Sequence, residues 1–212
     1  MDLVPEGVAD SHRAARALLS AQLSPDAVHV SMLLRARRTA EIVAQAAGLA
    51  RSSITETWRL NERHAGAFEG LTREEMIEQF GREAVKSWKH SVEVRPLQVN
   101  ESDGRHPRHD PRYRNVPRDL LPAGEASSDV LDRVLPYWES AVVNDLRAGK
   151  NVLVVTHDHV IRVLMWHLRG RHEGGLSNGA IPNGVPWLLW LSPGEGLIVR
   201  AGSLPEPTAS DG

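Results

Sequence analysis

The sequence predicts an α/β fold, a three-layer sandwich whose mostly parallel central sheet is flanked by helices. Three observations carry this. Segments with helical apolar spacing alternate with short β-rich runs, the pattern of stacked β-α units. One run, Asn-Val-Leu-Val-Val-Thr-His at 151–157, is apolar along its length with a polar end, as a strand covered on both faces of a parallel sheet would be. Chemistry-bearing residues gather at Arg59 to His64 and at His157, each at the end of a predicted strand. In parallel sheets, sites collect beyond the C-terminal strand ends.

The elements follow in chain order. Residues 2–7 read as a loop punctuated by Pro5 and Gly7. Residues 8–23 read as a helix, because Ala15, Leu18, Leu19 and Leu23 share one face behind Asp10 and Ser11. Pro25 and Asp26 break it. Residues 27–31 form a strand, 34–48 a helix closed by Gly48, and 53–58 a second strand. Short helices over 72–79 and 83–90 meet at Gly81. Residues 95–126 are rich in Pro, Arg, Asp and His and lack periodicity. Such a stretch is either disordered or a long loop folded over a site.

Residues 127–148 are the clearest helix. Val130, Val134, Leu135, Trp138 and Val142 make its buried stripe, and Pro136 should kink it. Ser127 or Ser128 should cap its start and Gly149 its end. A helix over 160–168 follows the apolar strand. Residues 185–192 and 197–202 should close the sheet as a hairpin about 193–196. A single domain is expected over 1–204, with 205–212 a disordered polar tail.

Composition narrows the function. The chain has no cysteine, which excludes disulfides and thiolate zinc sites. A net charge of −2 favours neither nucleic acid nor an anionic membrane surface, so an anion must be held by a local pocket. No apolar run approaches a membrane span and the N-terminus lacks a basic-then-apolar leader, so a cytoplasmic protein is expected. Within 57–71, Arg59, Asn61, Glu62, Arg63 and His64 crowd beside the small residues Ala65 and Gly66. Cations around one carboxyl suit a site that holds an anion and moves a proton. A turn with surface salt bridges is the alternative.

These residues carry a resemblance. Trp58 to Leu71, WRLNERHAGAFEGL, is similar to the signature of the 2,3-bisphosphoglycerate-dependent phosphoglycerate mutases, within the histidine phosphatase superfamily. Ser31-Met-Leu-Leu-Arg35-Ala-Arg-Arg-Thr39 resembles that family's S-x-L-x-R-A-x-x-T. Leu135-Pro-Tyr-Trp138 sits in the matching helix. Gly149 to His157 resembles the second histidine strand, and Ile181-Pro-Asn-Gly-Val-Pro186 the late I-P-T-G-x-P loop.

The resemblance implies an isomerase of glycolysis that interconverts 2- and 3-phosphoglycerate through a phosphohistidine, primed by 2,3-bisphosphoglycerate and needing no metal. It implies Glu62 as the acid/base carboxyl and His157 as the histidine that steadies the transferring phosphoryl group. Arg35 becomes the phosphate-binding arginine and Arg63 an arginine of the substrate pocket. His64, Arg73, Lys89, His90, Asp158 and His159 complete the expected substrate-binding set. The implied partner is a small phosphorylated substrate, with no nucleic acid and no membrane; a homo-oligomer stays open. His157, Asp158 and His159 with His106 and His109 are compatible with zinc, but His157 already has a role by resemblance.

The chain also departs from the pattern. The family's R-H-G motif, which carries the phosphoryl-accepting histidine at the end of its first strand, does not occur in these residues. Asp2 to Gly7 matches the loop that follows that strand. The first central strand is therefore expected to be absent, leaving open edges and apolar faces on its neighbours. A late gene start and a degenerate paralogue are the two explanations. Ala65 stands for a tyrosine, Arg73 for a lysine, Lys89 and His90 for an arginine pair, and Asp158-His159 for the Gly-Asn of H-G-N. Asp158 is expected to repel a phosphate by on the order of a kcal/mol in a wet pocket. The alternative functions are a non-catalytic relative that binds an anion or partner, and a phosphatase-like member with another phosphoester substrate.

Overall fold

β1 (Ala27–Ser31) is buried at every position because it is paired on both sides. β2 (Ile54–Thr57) lies parallel to it with Val28 opposite Ile54, and β3 (Val152–Val155) lies parallel on the other side with Ala27 opposite Val152. The computed structural model describes residues 2–170, 176, 179–191 and 198–204.

Period-two alternation assigns the strand side chains to two helical layers. On one face, Val28 and Val30 pack against Ala36 and Ala40 of α2 (Leu34–Ala46), with Leu153 and Val155 of β3 beside them. α1 (Pro5–Ser20) lies against α2 through Ala15, Ala17, Leu18 and Val43. On the other face, Val152 and Val154 meet Leu60 and the apolar stripes of α5 (Ser127–Tyr137) and α7 (Asp158–Leu168). Val28, Val30, Val130, Val134 and Val160 are wholly buried, each contributing about 1.5–3 kcal/mol. The three expected layers are thus present.

Several boundaries differ from expectation. α1 begins at Pro5, where a fixed φ and a missing N–H suit a first helical turn, so the second half of the expected loop is helix. α5 is not capped by a serine. Ala126 is its N-cap, and the Asp129 carboxylate accepts the Ala126 N–H at 2.9 Å. Beyond Pro136 a π-helical turn, Trp138–Val142, separates α5 from α6 (Val143–Arg147). Eight residues apart in an unbroken helix, Tyr137 and Asp145 would differ by about 80° in direction. The wider turn brings both to His29 on β1: the Tyr137 hydroxyl is 2.7 Å from Nδ1 and the Asp145 carboxylate 3.1 Å from Nε2.

The sheet is also divided. β3 was expected to be covered on both faces, yet all four of its residues are only half-buried. Among the described residues β1 alone pairs with it, so its far edge is open. β4 (Trp187–Leu191) and β5 (Ile198–Ser203) form an antiparallel pair of their own instead of completing the first sheet. Leu188 packs with the α1–α2 cluster, whereas Leu189 and Leu191 pack with the α5–α7 cluster, so the pair continues the sandwich without hydrogen bonding to β3. The expected turn at 193–196 and tail at 205–212 lie outside the described residues.

α3 (Arg73–Phe80) and α4 (Arg82–His90) meet at Gly81, whose φ of 84° is accessible to glycine. Their apolar faces enclose Phe68 and Trp88. The long segment that follows is folded over the site. Short 3₁₀ turns at Pro107–His109, Pro111–Tyr113 and Arg118–Leu120 shape it, and Arg105–Asp103 and Arg112–Asp110 ion pairs hold its bends.

Candidate active site

The three parallel strands end together, and the chain leaving each end carries the polar residues. β1 ends at Ser31 and passes Arg35 on the first turn of α2. β2 runs through a 3₁₀ turn, Trp58–Leu60, into Asn61, Glu62, Arg63 and His64. β3 runs into His157 and the start of α7. A cavity of about 710 Å³ opens here. Arg35, Glu62, Arg63, His64, Lys89, His90, Asp158 and His159 line it, together with Asn61, Tyr113 and Arg162.

Glu62 is the central acid. Burial pushes its pKa up, against the pull of the Arg63 N–H at 2.8 Å and the charges of Arg35 and Arg63; Asp158 adds to the rise. A carboxyl raised by burial within reach of cations is suited to giving and taking a proton. Among the described residues Arg35 forms no ion pair or hydrogen bond through its guanidinium, so its charge is available to an anion. Arg63 is fixed: it donates to the Trp88 carbonyl at 3.0 Å and lies 4.0 Å over the Trp88 ring. Burial lowers its pKa to about 10, which leaves it cationic at neutral pH.

The histidines differ. His64 donates its backbone N–H to Glu125 at 2.8 Å, and its Nδ1 accepts from Gly66. His90 and Lys89 sit in the exposed last turn of α4. His157 and His159 are both buried, and burial is the main cause that lowers each pKa to about 3, with nearby arginines adding to it. His157 Nε2 lies 2.8 Å from the Ser31 hydroxyl, and His159 Nε2 lies 3.0 Å from that of Ser127.

Three expectations change. Asp158 was expected to set an uncompensated charge against a phosphate; its carboxylate instead forms a fork with Arg162 one turn along α7, at 2.7 and 2.8 Å. Arg73 is the exposed first residue of α3 and does not line the cavity. His157 stands behind the lining, against β1.

Other residues were given no site role by the sequence. Asn61 was named in the charged cluster, but its neighbours' charges drew the chemistry. Tyr113, in the aperiodic stretch, brings its hydroxyl to within 2.6 Å of Asn61 Nδ2. Arg133 of α5 forms a buried fork with Glu125, 2.6 and 3.1 Å. It also donates to the carbonyls of Arg59 and Asn61, on the two sides of the turn that delivers Glu62. Nothing in their spacing signals that pair.

The family profile described as Histidine phosphatase superfamily (branch 1) matches residues 1–105 and 97–201. The chain belongs to the histidine phosphatase superfamily. Within it, the chain is 42% identical over 191 residues to a protein of Nitratidesulfovibrio vulgaris strain Hildenborough, covering 90% of this chain and 76% of that one. It is 39% identical to a protein of Thermobifida fusca, covering 91% and 78%, and 36% identical to one of Clavibacter michiganensis, covering 99% and 83%. All three relatives are named 2,3-bisphosphoglycerate-dependent phosphoglycerate mutase. The native structure of a mycobacterial glucosyl-3-phosphoglycerate phosphatase superposes with a TM-score of 0.64 at 20% identity, over 96% of this chain and 87% of that chain. That likeness is one of superfamily fold.

Proposed function

We propose that the cavity is a phosphoglycerate mutase site of the 2,3-bisphosphoglycerate-dependent kind, interconverting 2- and 3-phosphoglycerate by way of a phosphohistidine. The observation that carries this is that Glu62, half-buried and with its pKa raised by burial, lines the same cavity as Arg35, whose guanidinium makes no ion pair among the described residues. Phosphoryl transfer asks for positioning and charge neutralisation more than for covalent work by surrounding groups. Arg35 holds the phosphoryl oxygens, and Arg63, Lys89 and His90 hold the glycerate end. Glu62 gives a proton to the glycerate oxygen that loses the group and takes one from the oxygen that receives it. 2,3-Bisphosphoglycerate serves as the phosphoryl primer.

The phosphoryl-accepting histidine of the family's R-H-G motif is not among these 212 residues. A second reading, an anion-binding relative without turnover, is favoured by the replacements Ala65, Lys89, His90 and Asp158. Incubation with labelled 2,3-bisphosphoglycerate separates the two. Stoichiometric, acid-labile label on a histidine supports the mutase. Binding of 3-phosphoglycerate without label supports the second reading. In any form that turns over, Glu62→Gln should lower turnover by about 10²–10⁴ while binding persists. Loss of binding instead would make Glu62 a structural residue.

A further inference from the structure

The C-terminal ends of the three parallel strands are joined by a closed chain of hydrogen bonds. Asn61 Oδ1 accepts the Met32 backbone N–H at 2.9 Å, which fixes the orientation of its amide, because a flipped amide would set donor against donor. The Ser31 hydroxyl lies 2.8 Å from the same oxygen and 2.8 Å from His157 Nε2. A serine has one proton. Given to His157, it would leave two oxygens facing each other at 2.8 Å with nothing between them. Given to Asn61, it satisfies that contact, and Ser31 then accepts from His157. Ser31 also accepts the Leu33 N–H at 3.1 Å. All three side chains are buried, so water does not substitute for any partner.

We infer that Asn61 and Ser31 are positioning residues that hold His157 as the neutral Nε2–H tautomer, so that engaging a phosphate dianion requires His157 to take up a proton. With Nε2 committed to Ser31, the remaining nitrogen, Nδ1, carries a lone pair. It makes no hydrogen bond among the described residues and is not sealed from solvent. A lone pair repels a phosphoryl oxygen; an Nδ1–H donates to it. The proton comes from solvent and ends on Nδ1, giving an imidazolium with one N–H on Ser31 and one on the phosphoryl oxygen. Burial opposes protonation of His157 most, and the charges that face it, Arg35 from α2 and Arg133 from α5, add to that. A dianion seated on Arg35 cancels that charge and sets its own negative charge against the imidazolium, which offsets the burial. This rests on the proposed function, in which Arg35 holds the phosphoryl oxygens, and adds that His157 Nδ1, behind the cavity lining, reaches the same group.

The test has two arms. In ¹⁵N-histidine NMR of the free protein near neutral pH, His157 should show a protonated Nε2 and an unprotonated Nδ1. Ser31→Ala should mix the tautomers and Ser31→Thr should restore the signature. A protonated Nδ1 in the unliganded wild type would overturn the inference without recourse to any variant. In the second arm, 3-phosphoglycerate is titrated calorimetrically at about pH 8, where a phosphate monoester is a dianion, in buffers of different ionisation heat. About one proton should be taken up per ligand bound. Binding without proton uptake would also overturn the inference. No binding at all would sink the functional reading instead, and the NMR arm would still decide the tautomer.

Discussion

At the residue scale, buried histidines set the response to acid. Burial lowers the pKa of His29, His157 and His159, the last two to about 3 from the ordinary 6.5. The unfolded chain therefore binds these protons more readily than the folded one. The stability they contribute is complete above about pH 6.5 and is lost progressively as pH falls toward about 3. Urea midpoints measured across that window should decline steadily. His157→Gln and His159→Gln should each flatten the decline, and an unchanged slope would show that neither histidine is held neutral. That Glu62 would stand among cations was legible in the sequence, because they share one dense motif. The partner of His157 was not: Ser31 was visible as a motif letter, but its hydrogen bond spans 126 residues of chain.

At the element scale, Arg133 ties α5 to the segment that carries Glu62. The guanidinium and the Glu125 carboxylate are both buried, and the remaining N–H groups reach backbone carbonyls on that segment. Removing one partner leaves a charge buried without its counter-ion. Arg133→Met should cost about 3–5 kcal/mol in chemical unfolding, and Arg133→Met with Glu125→Leu distinctly less. If the double variant were the less stable, the pair would be contributing net stabilisation of its own. Helices and strands were mostly legible here because their spacing is local. The exceptions have local causes too. Pro136 announced a disturbance, but only the packing of Tyr137 and Asp145 onto His29 determines that it takes the form of a π-helical turn. In the 95–126 stretch, sequence could not choose between disorder and a folded loop. The choice rests on contacts such as Tyr113 to Asn61 and Arg105 to the Ala67 carbonyl, which no periodicity encodes.

At the scale of the whole molecule, the order of elements implied the layers, and the layers implied where a site should lie. An open strand edge was expected from the missing first strand; that β4 and β5 would pair apart from the parallel sheet was not. The apolar composition of β3 reports a strand built to be covered, not which strand lies beside it, and among the described residues its far edge is open. The site survives that division because its cations and its acid all come from the ends of β1, β2 and β3 and from α2, α4 and α7. The claim that joins these levels is that the cavity at the strand ends holds a phosphoester on Arg35 beside Glu62. Calorimetric titration of 3-phosphoglycerate into the wild type and Arg35→Ala tests it most directly. The account predicts saturable one-to-one binding to the wild type, weakened in the variant by about 1.5–3 kcal/mol, roughly tenfold or more, as expected for loss of a hydrogen bond to a charged group. Absence of binding to the wild type, or equal affinity in the two proteins, would contradict it.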